Sequence, residues 1–330
     1  PVAVGEIEED MNPPRVLVAE PLDPECEAWL AERAAVARPS SEGRAALLAS
    51  VADADGLVVR TYTRVDRELL AAAPRLRVVG RAGVGLDNLD LDACRGRGVA
   101  VVHTPEANTQ AVVEYLWTLV LDRVRPRHWL AGPVPGPEWN RLRADTVGRR
   151  QLSELTLGIL GIGRIGSRVG EVGAALGMRV VGYDLLGPET IRPRLAYPLE
   201  WAEPEAAYRQ ADVFTLHVDG RPANRGLVGA AQLALLKSDC LFVNTARGML
   251  VDAAALAAWA RRVAPAGGAA LLDVHQPEPF GPDYPLLGLP NVALAPHLAS
   301  RTATALRNMS WVVRDVVAVL EGRAPRFPAP

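Results

Sequence analysis

Short apolar runs separated by polar, alanine-rich stretches set the rhythm of the first third of the chain. RVLVAE begins at Arg15, DGLVVR at Asp55, RLRVVGRA at Arg75 and GVAVVHT at Gly98. Apolar runs of this length, alternating with helix-length segments, predict parallel strands buried on both faces between helices, with the first strand at Arg15 to Ala19. Asn108 to Val124 changes period: Val112, Val113, Leu116, Leu119 and Val120 mark one face of a long amphipathic helix. RPRHWLAGPVPGPEWNR, from Arg125, is rich in proline and glycine and reads as an arm outside the core.

The strand rhythm then resumes. Strands are predicted at Leu155 to Leu160, Met178 to Tyr183, Asp212 to His217, Cys240 to Asn244, Gly268 to Asp273 and Asn291 to Ala295, with helical spacing between them. The last apolar-periodic segment, Thr302 to Glu321, ends at Gly322 with prolines beyond, and predicts one helix that packs back on the first unit. The expected fold is α/β, with two doubly wound parallel sheets.

The run LGILGIGRIG at 157–166 gives this second sheet a chemistry. Gly161, Gly163 and Gly166 close an apolar strand and open a helix carrying Ile165, Val169, Val172 and Leu176, and Asp184 ends the next strand. The first glycine permits the tight turn, the second lets backbone approach a pyrophosphate, and the third lets the helix pack near the sheet. The pyrophosphate then meets a helix N-terminus. An acid at Asp184 suits the two ribose hydroxyls of NAD and repels the 2′-phosphate of NADP, so NAD is the expected cofactor.

At 330 residues the chain exceeds one ordinary core, and its formal net charge of −2 gives no reason to expect nucleic acid or an anionic membrane as a direct ligand. Cys26, Cys94 and Cys240 lie far apart without CxxC spacing, which argues against disulfides and against a metal site. No run of eighteen apolar residues lacks a charge, so the expectation is a soluble, cytoplasmic protein. The acidic, aperiodic opening is expected to be a disordered extension over 1–12, with Met11 as the candidate natural start. The arginine-rich stretches at 123–127 and 141–150 are read as solvated faces and loops.

Ligands of open α/β sheets bind beyond the carboxyl ends of strands. The polar groups found there are Asn244 to Gly248, Asp273 to Glu278, Pro296 with His297, and Arg81 to Gly85. An arginine can hold a carboxylate through its planar fork, and a histidine beside a carboxylate can exchange a proton with a carbinol. These are the parts for interconverting a 2-hydroxy acid and a 2-oxo acid. His217, His275 and His297 all follow strands, and the residues alone do not choose among them.

GRAGVGLDNLDL at 80–91, the glycine turn, NTARGMLVD at 244–252, DVHQPEP at 273–279 and APHLAS at 295–300 resemble the D-isomer-specific 2-hydroxyacid dehydrogenases, over a span from about residue 55 onward. The resemblance implies a Rossmann nucleotide-binding domain, 109–298, inserted into a flavodoxin-like substrate domain of 13–108 plus 299–330. It implies a catalytic set of Arg247, Glu278 and His297, with Glu278 orienting the histidine and raising its pKa. The backbone of Ala82, Gly83 and Val84 would hold the substrate carboxylate, with Arg247. Arg164, Ile165, Asp184, Val218, Thr245, Ala246, Arg247, Asp273, and His297 to Ser300 would line the NAD. Hinge closure and a homodimer through the nucleotide domain, contacting through the arm after Val124, are also implied.

Two departures bear on substrate. Asp219 stands where the family pattern has proline, and DVH replaces DVF; with HWL at 128–130, both are similar to the C-terminal-binding-protein corepressors. The first unit resembles 3-phosphoglycerate dehydrogenase, in which VVRTYTRV at 58–65 places Arg60 to meet a second anionic group on the substrate. The function expected is therefore an NAD-dependent oxidoreductase of a D-2-hydroxy acid and its 2-oxo partner, of 3-phosphoglycerate or hydroxypyruvate/glyoxylate type. The alternative is an NAD-sensing, corepressor-like binding protein on a dehydrogenase core.

Overall fold

The computed structural model describes residues 13–146 and 150–330; the extension expected at 1–12 lies outside them. The chain forms two compact units, one of residues up to Asn108 together with Thr302–Pro330, the other Thr109–Arg301.

The first unit is a five-stranded parallel sheet of β1 (Arg15–Val18), β2 (Ala35–Ala37), β3 (Gly56–Val59), β4 (Val78–Arg81) and β5 (Ala100–His103), in the order β2-β1-β3-β4-β5. That order is the flavodoxin-like one. β3 and β4 are buried along their whole length, as strands covered by helices on both faces must be. Asp23, Asp66 and Asp90 each accept a backbone N–H in the first turn of the helix that follows, a cap worth about 1 kcal/mol apiece.

The helix expected over Thr302 to Glu321 is two helices, Ala303–Ser310 and Val313–Leu320. Ser310 is the physical reason for the correction. Its Oγ donates back to the Leu306 carbonyl (2.8 Å) and accepts the Asp23 N–H (2.9 Å). Back-bonding of this kind bends a helix. The next N–H groups tighten to three-residue bonds, Arg314 to Trp311 and Asp315 to Val312. The second of these helices packs on β3, β4 and β5 of its own unit.

The second unit is a seven-stranded parallel sheet of β6 (Thr156–Leu160), β7 (Arg179–Tyr183), β8 (Glu200–Trp201), β9 (Val213–Leu216), β10 (Leu241–Asn244), β11 (Ala269–Leu272) and β12 (Val292–Leu294). The order is β12-β11-β10-β9-β6-β7-β8, so the chain runs outward one way from β6 and the other way from β9. Ligands collect at such a reversal. Phe214 of β9 stacks on Tyr208 at 4.2 Å and on Phe242 of β10 at 6.3 Å, filling one face of the sheet.

The segment after Arg125 contains a helix, Gly136–Asp145, that buries no residue. Arg150, read from sequence as part of a solvated stretch, instead reaches Asp212, whose side chain is 4% exposed; its Nη1 lies 3.0 Å from Oδ1. Lys237, the one lysine of the chain, binds the same oxygen at 2.9 Å, and the Thr156 N–H takes Oδ2 at 2.8 Å.

Candidate active site

The glycine turn sits between the carboxyl ends of β6 and β9. Gly161 has φ +90°, and a Cβ there would lie 2.8 Å from the His217 carbonyl, so only glycine fits. A Cβ on Gly166 would lie 2.0 Å from the Gly161 carbonyl oxygen. Gly163, by contrast, caps the Arg164–Ala175 helix with nothing within 4 Å of its would-be Cβ. Asp184 accepts the Ile162 N–H at Oδ2 (2.7 Å) and the Leu186 N–H at Oδ1 (3.0 Å), which ties the acid to the turn.

The dinucleotide therefore has an open backbone approach at a twelve-residue helix N-terminus and an oriented carboxylate one strand over. Thr245, just beyond β10, adds a further sign of fit. Its Oγ1 is buried and has no partner among the described residues. A buried hydroxyl left so is costly unless a ligand completes it.

The three histidines part company here. Burial pushes His217 down to about 3, so its ring is neutral, and Nε2 faces Thr215 Oγ1 at 3.2 Å. His275 is buried, with Nε2 against the Ala295 carbonyl at 2.8 Å and Nδ1 3.4 Å from the Tyr284 hydroxyl. His297 alone couples to an acid: Nδ1 lies 2.8 Å from Glu278 Oε2, and both side chains are about a quarter exposed.

His297 is also the one non-glycine residue with positive φ among the described residues, at +57°. Such a conformation persists when its surroundings over-determine it, and such residues gather at functional sites. Asp273, fully buried at the end of β11, supplies the constraint. Its Oδ1 accepts the Leu298 N–H (2.7 Å), its Oδ2 the Ala299 N–H (2.8 Å), and its carbonyl the His297 N–H (2.9 Å). Burial raises the Asp273 carboxyl, and the two N–H groups and the His297 ring only partly offset it. Glu278 goes the other way: burial raises it, but the His297 ring and the His275 N–H, 2.6 Å from Oε1, together hold it below the ordinary range.

Arg247 follows β10 on a loop shaped by Asn244, which accepts the Ala246 N–H (3.0 Å) and donates to the Arg247 carbonyl (2.9 Å). A Cβ on Gly248 would fall 2.0 Å from the His275 carbonyl carbon. This close crossing sets the arginine loop against the loop that carries Glu278. Val218 packs beside Gly161; Ile165 and Ser300 are half-buried, and Arg164 is exposed at the helix start.

The remaining expected residues lie in the first unit. Ala82 gives its N–H to the Val59 carbonyl (2.8 Å) and Gly83 to that of Arg81 (2.8 Å), while the Val84 N–H has no acceptor among the described residues. Two groups that the sequence reading passed over support this segment. The Thr104 N–H donates to the Gly83 carbonyl (3.2 Å), and His103 Nδ1 lies 3.1 Å from the Val84 carbonyl. Thr104 Oγ1 and Asn108 Oδ1 are buried with no partner among the described residues, and the signal for them was a polar TPEAN run directly after β5. The Arg60 N–H binds Glu20, whose carboxylate also takes the N–H groups of Thr61, Tyr62 and Thr63; Arg60 Nη1 donates to the Pro21 carbonyl (3.2 Å).

A Rossmann sheet with a glycine-turn cradle and a carboxylate-linked histidine at its strand ends defines a nicotinamide-dependent dehydrogenase. Residues 117–299 match the family model described as D-isomer specific 2-hydroxyacid dehydrogenase, NAD binding domain. The chain belongs to that family, and acts on small 2-hydroxy and 2-oxo acids with NAD or NADP.

Its relatives include a glyoxylate reductase of Aeropyrum pernix, 38% identical over 284 residues and covering 84% of each chain. A D-3-phosphoglycerate dehydrogenase of Archaeoglobus fulgidus is 35% identical over 312 residues, 93% of this chain but 58% of that protein. The chain thus spans little more than half the length of that relative. The crystal structure of an NADPH-dependent glyoxylate/hydroxypyruvate reductase from Sinorhizobium meliloti, in complex with NADP and malonate, superposes with a TM-score of 0.80 at 26% identity, covering 96% of both chains. Among the described residues no helix is long and apolar enough to cross a membrane, and no cluster of acid, histidine or cysteine side chains has metal-site geometry.

Proposed function

We propose that the chain interconverts a D-2-hydroxy acid and its 2-oxo acid of the glyoxylate or hydroxypyruvate type, with NAD(H) in preference to NADP(H). The observation that carries this reading is the 2.8 Å bond between His297 and Glu278. One imidazole nitrogen is committed to the acid, and Nε2 has no partner among the described residues.

Bound NADH supplies the hydride that C2 of the 2-oxo acid receives. Arg247 holds the substrate carboxylate through its planar fork and draws charge toward the carbonyl oxygen. His297 gives its Nε2 proton to that oxygen, so the 2-oxo acid, one hydride and one proton become the 2-hydroxy acid, and the ring ends neutral. Glu278 accepts from Nδ1 and so turns Nε2 toward the substrate. In the reverse direction His297 takes the carbinol proton. Asp184, with Leu185 and Leu186 rather than arginine after it, supports NAD over NADP. Exposed Trp129, Leu130 and Trp139 after the Thr109–Val124 helix support a homodimer through this unit.

A spectrophotometric NADH screen with glyoxylate, hydroxypyruvate, phosphohydroxypyruvate, pyruvate and branched 2-oxo acids tests the reading. Turnover of glyoxylate or hydroxypyruvate that disappears in His297→Ala and Arg247→Ala is the expected result. Tight NADH binding without turnover of any of them would overturn it in favour of a cofactor-sensing protein. An Arg60→Ala variant with raised KM for phosphohydroxypyruvate alone would move the substrate to the phosphorylated acid.

A further inference from the structure

His275 has no part in the proton transfer above, yet it touches both chain segments that make it possible. Its backbone N–H donates to Glu278 Oε1 at 2.6 Å. Its ring Nε2 lies 2.8 Å from the Ala295 carbonyl, and a carbonyl only accepts, so Nε2 carries the proton. The same carbonyl oxygen accepts the His297 N–H at 3.0 Å, at the point where the chain turns into the left-handed conformation of His297.

The ring itself is held on two sides, edge-on to Phe280 at 4.8 Å and to Tyr284 at 5.6 Å, and those two rings stack at 4.6 Å. With Nε2 as the donor, Nδ1 can accept from the Tyr284 hydroxyl, 3.4 Å away. A phenylalanine could keep these ring contacts but could not donate to Ala295.

We propose that His275 is a positioning residue of the dehydrogenase reaction, locking the Glu278 loop to the His297 turn through one backbone and one ring hydrogen bond. It acts through Glu278 and His297 and touches neither substrate nor cofactor. The proposal rests on the assignment of those two residues as the proton-transfer pair. Glu278 and Asp273 face His297 from the same two loops, and His275 shares the Ala295 carbonyl with it.

The test compares His275→Phe, which keeps the stacking, with His275→Gln, whose amide N–H can replace Nε2–H. Nitrogen-resolved NMR of the five histidines reads the wild-type His275 tautomer and the hydrogen-bonded Nδ1–H of His297 without any turnover. The expected wild type has His275 protonated at Nε2. His275→Phe weakens the His297 Nδ1–H signal and lowers kcat about tenfold, with the pH midpoint of kcat displaced, KM for NADH within twofold, and Gln restoring most of each. A wild-type His275 protonated at Nδ1 instead overturns the proposal whatever the variants do. So does a Phe variant with unchanged His297 signal. Absence of wild-type turnover with a normal His275 tautomer and a Phe-sensitive His297 signal sinks the assigned reaction and leaves the lock standing.

Discussion

His297 Nδ1 and Glu278 Oε2 meet at 2.8 Å although the two residues, launched from the ends of β12 and β11, stand nineteen positions apart in the chain. The bond fixes which ring nitrogen faces outward. In a Glu278→Gln variant the amide can still accept the His275 N–H, but it loses the negative charge and can present NH2 to Nδ1. Either change disfavours the imidazolium, and the second also imposes the wrong tautomer. Catalysis of 2-oxo acid reduction is expected to fall about 100- to 1,000-fold in kcat, by analogy with acid-oriented histidines in other enzymes. KM for NADH is expected to stay within about threefold. Steady-state kinetics with the best substrate check this, and a variant within a factor of three of wild type would remove Glu278 from the mechanism.

Acid sensitivity follows from three carboxyls held low by their surroundings. For Glu20, Asp212 and Glu278, burial raises the carboxyl, but the N–H groups and cations around it outweigh burial, and the net direction is downward. A carboxyl lowered in the folded state stabilises it above the unfolded pKa and loses that contribution as pH falls through the folded value. The loss therefore begins near the ordinary values of 4.5 for Glu and 3.8 for Asp, and continues below them. Asp212→Ala also strands the Thr156 N–H and the cations of Arg150 and Lys237, at a cost of about 2–4 kcal/mol at pH 7. Urea melts at pH 7 and pH 3.5 should show the wild-type advantage over Asp212→Ala shrinking at the lower pH; a constant gap would contradict the linkage.

The sheet strands were legible because burial on both faces leaves almost nothing but apolar residues in them, and the expected ends fall within a residue or so of those observed. β2 and β8 escaped because three and two residues carry no period. The Arg150 contact escaped because its partner Asp212 lies sixty-two residues away and pays no heed to local pattern. Three histidines after strands looked alike in one dimension. What separates them is a carbonyl partner for His275 and a carboxylate for His297, and both of these are tertiary facts. The roles of Arg247, Glu278 and Asp273 came from family resemblance, since no spacing rule places two loops beside each other; the Gly248 crossing is what does so here.

Two glycines of the same turn predict opposite outcomes. A methyl on Gly166 meets the Gly161 carbonyl oxygen at 2.0 Å, and no side-chain rotation relieves a backbone contact. Gly166→Ala is expected to cost about 1–3 kcal/mol and to weaken NADH binding by tenfold or more, because the helix must back away from the turn. A methyl on Gly163 meets nothing, and its φ of −75° suits alanine. Gly163→Ala should leave thermal stability within about 0.5 kcal/mol of wild type while still weakening NADH, since the space it fills is the pyrophosphate's. Calorimetry paired with fluorescence titration separates the two, and unimpaired NADH binding in Gly163→Ala would place the dinucleotide elsewhere.

The proposed preference for NAD rests on Asp184. Its carboxylate is steadied by the Ile162 and Leu186 N–H groups, and the next two residues are leucines 77% and 56% exposed, with no cation among them to receive a 2′-phosphate. Replacing the acid by serine removes a repulsive charge and one strong ribose acceptor together. Asp184→Ser is therefore expected to raise KM for NADH about tenfold, the equivalent of about 1.4 kcal/mol for one charge-assisted hydrogen bond. Its KM for NADPH should fall, and a second change, Leu185→Arg, should lower it further by supplying the missing cation. Kinetics with both cofactors decide it: equal kcat/KM for NADH and NADPH in the unmodified chain would show that Asp184 does not discriminate, and the preference for NAD would have to be given up.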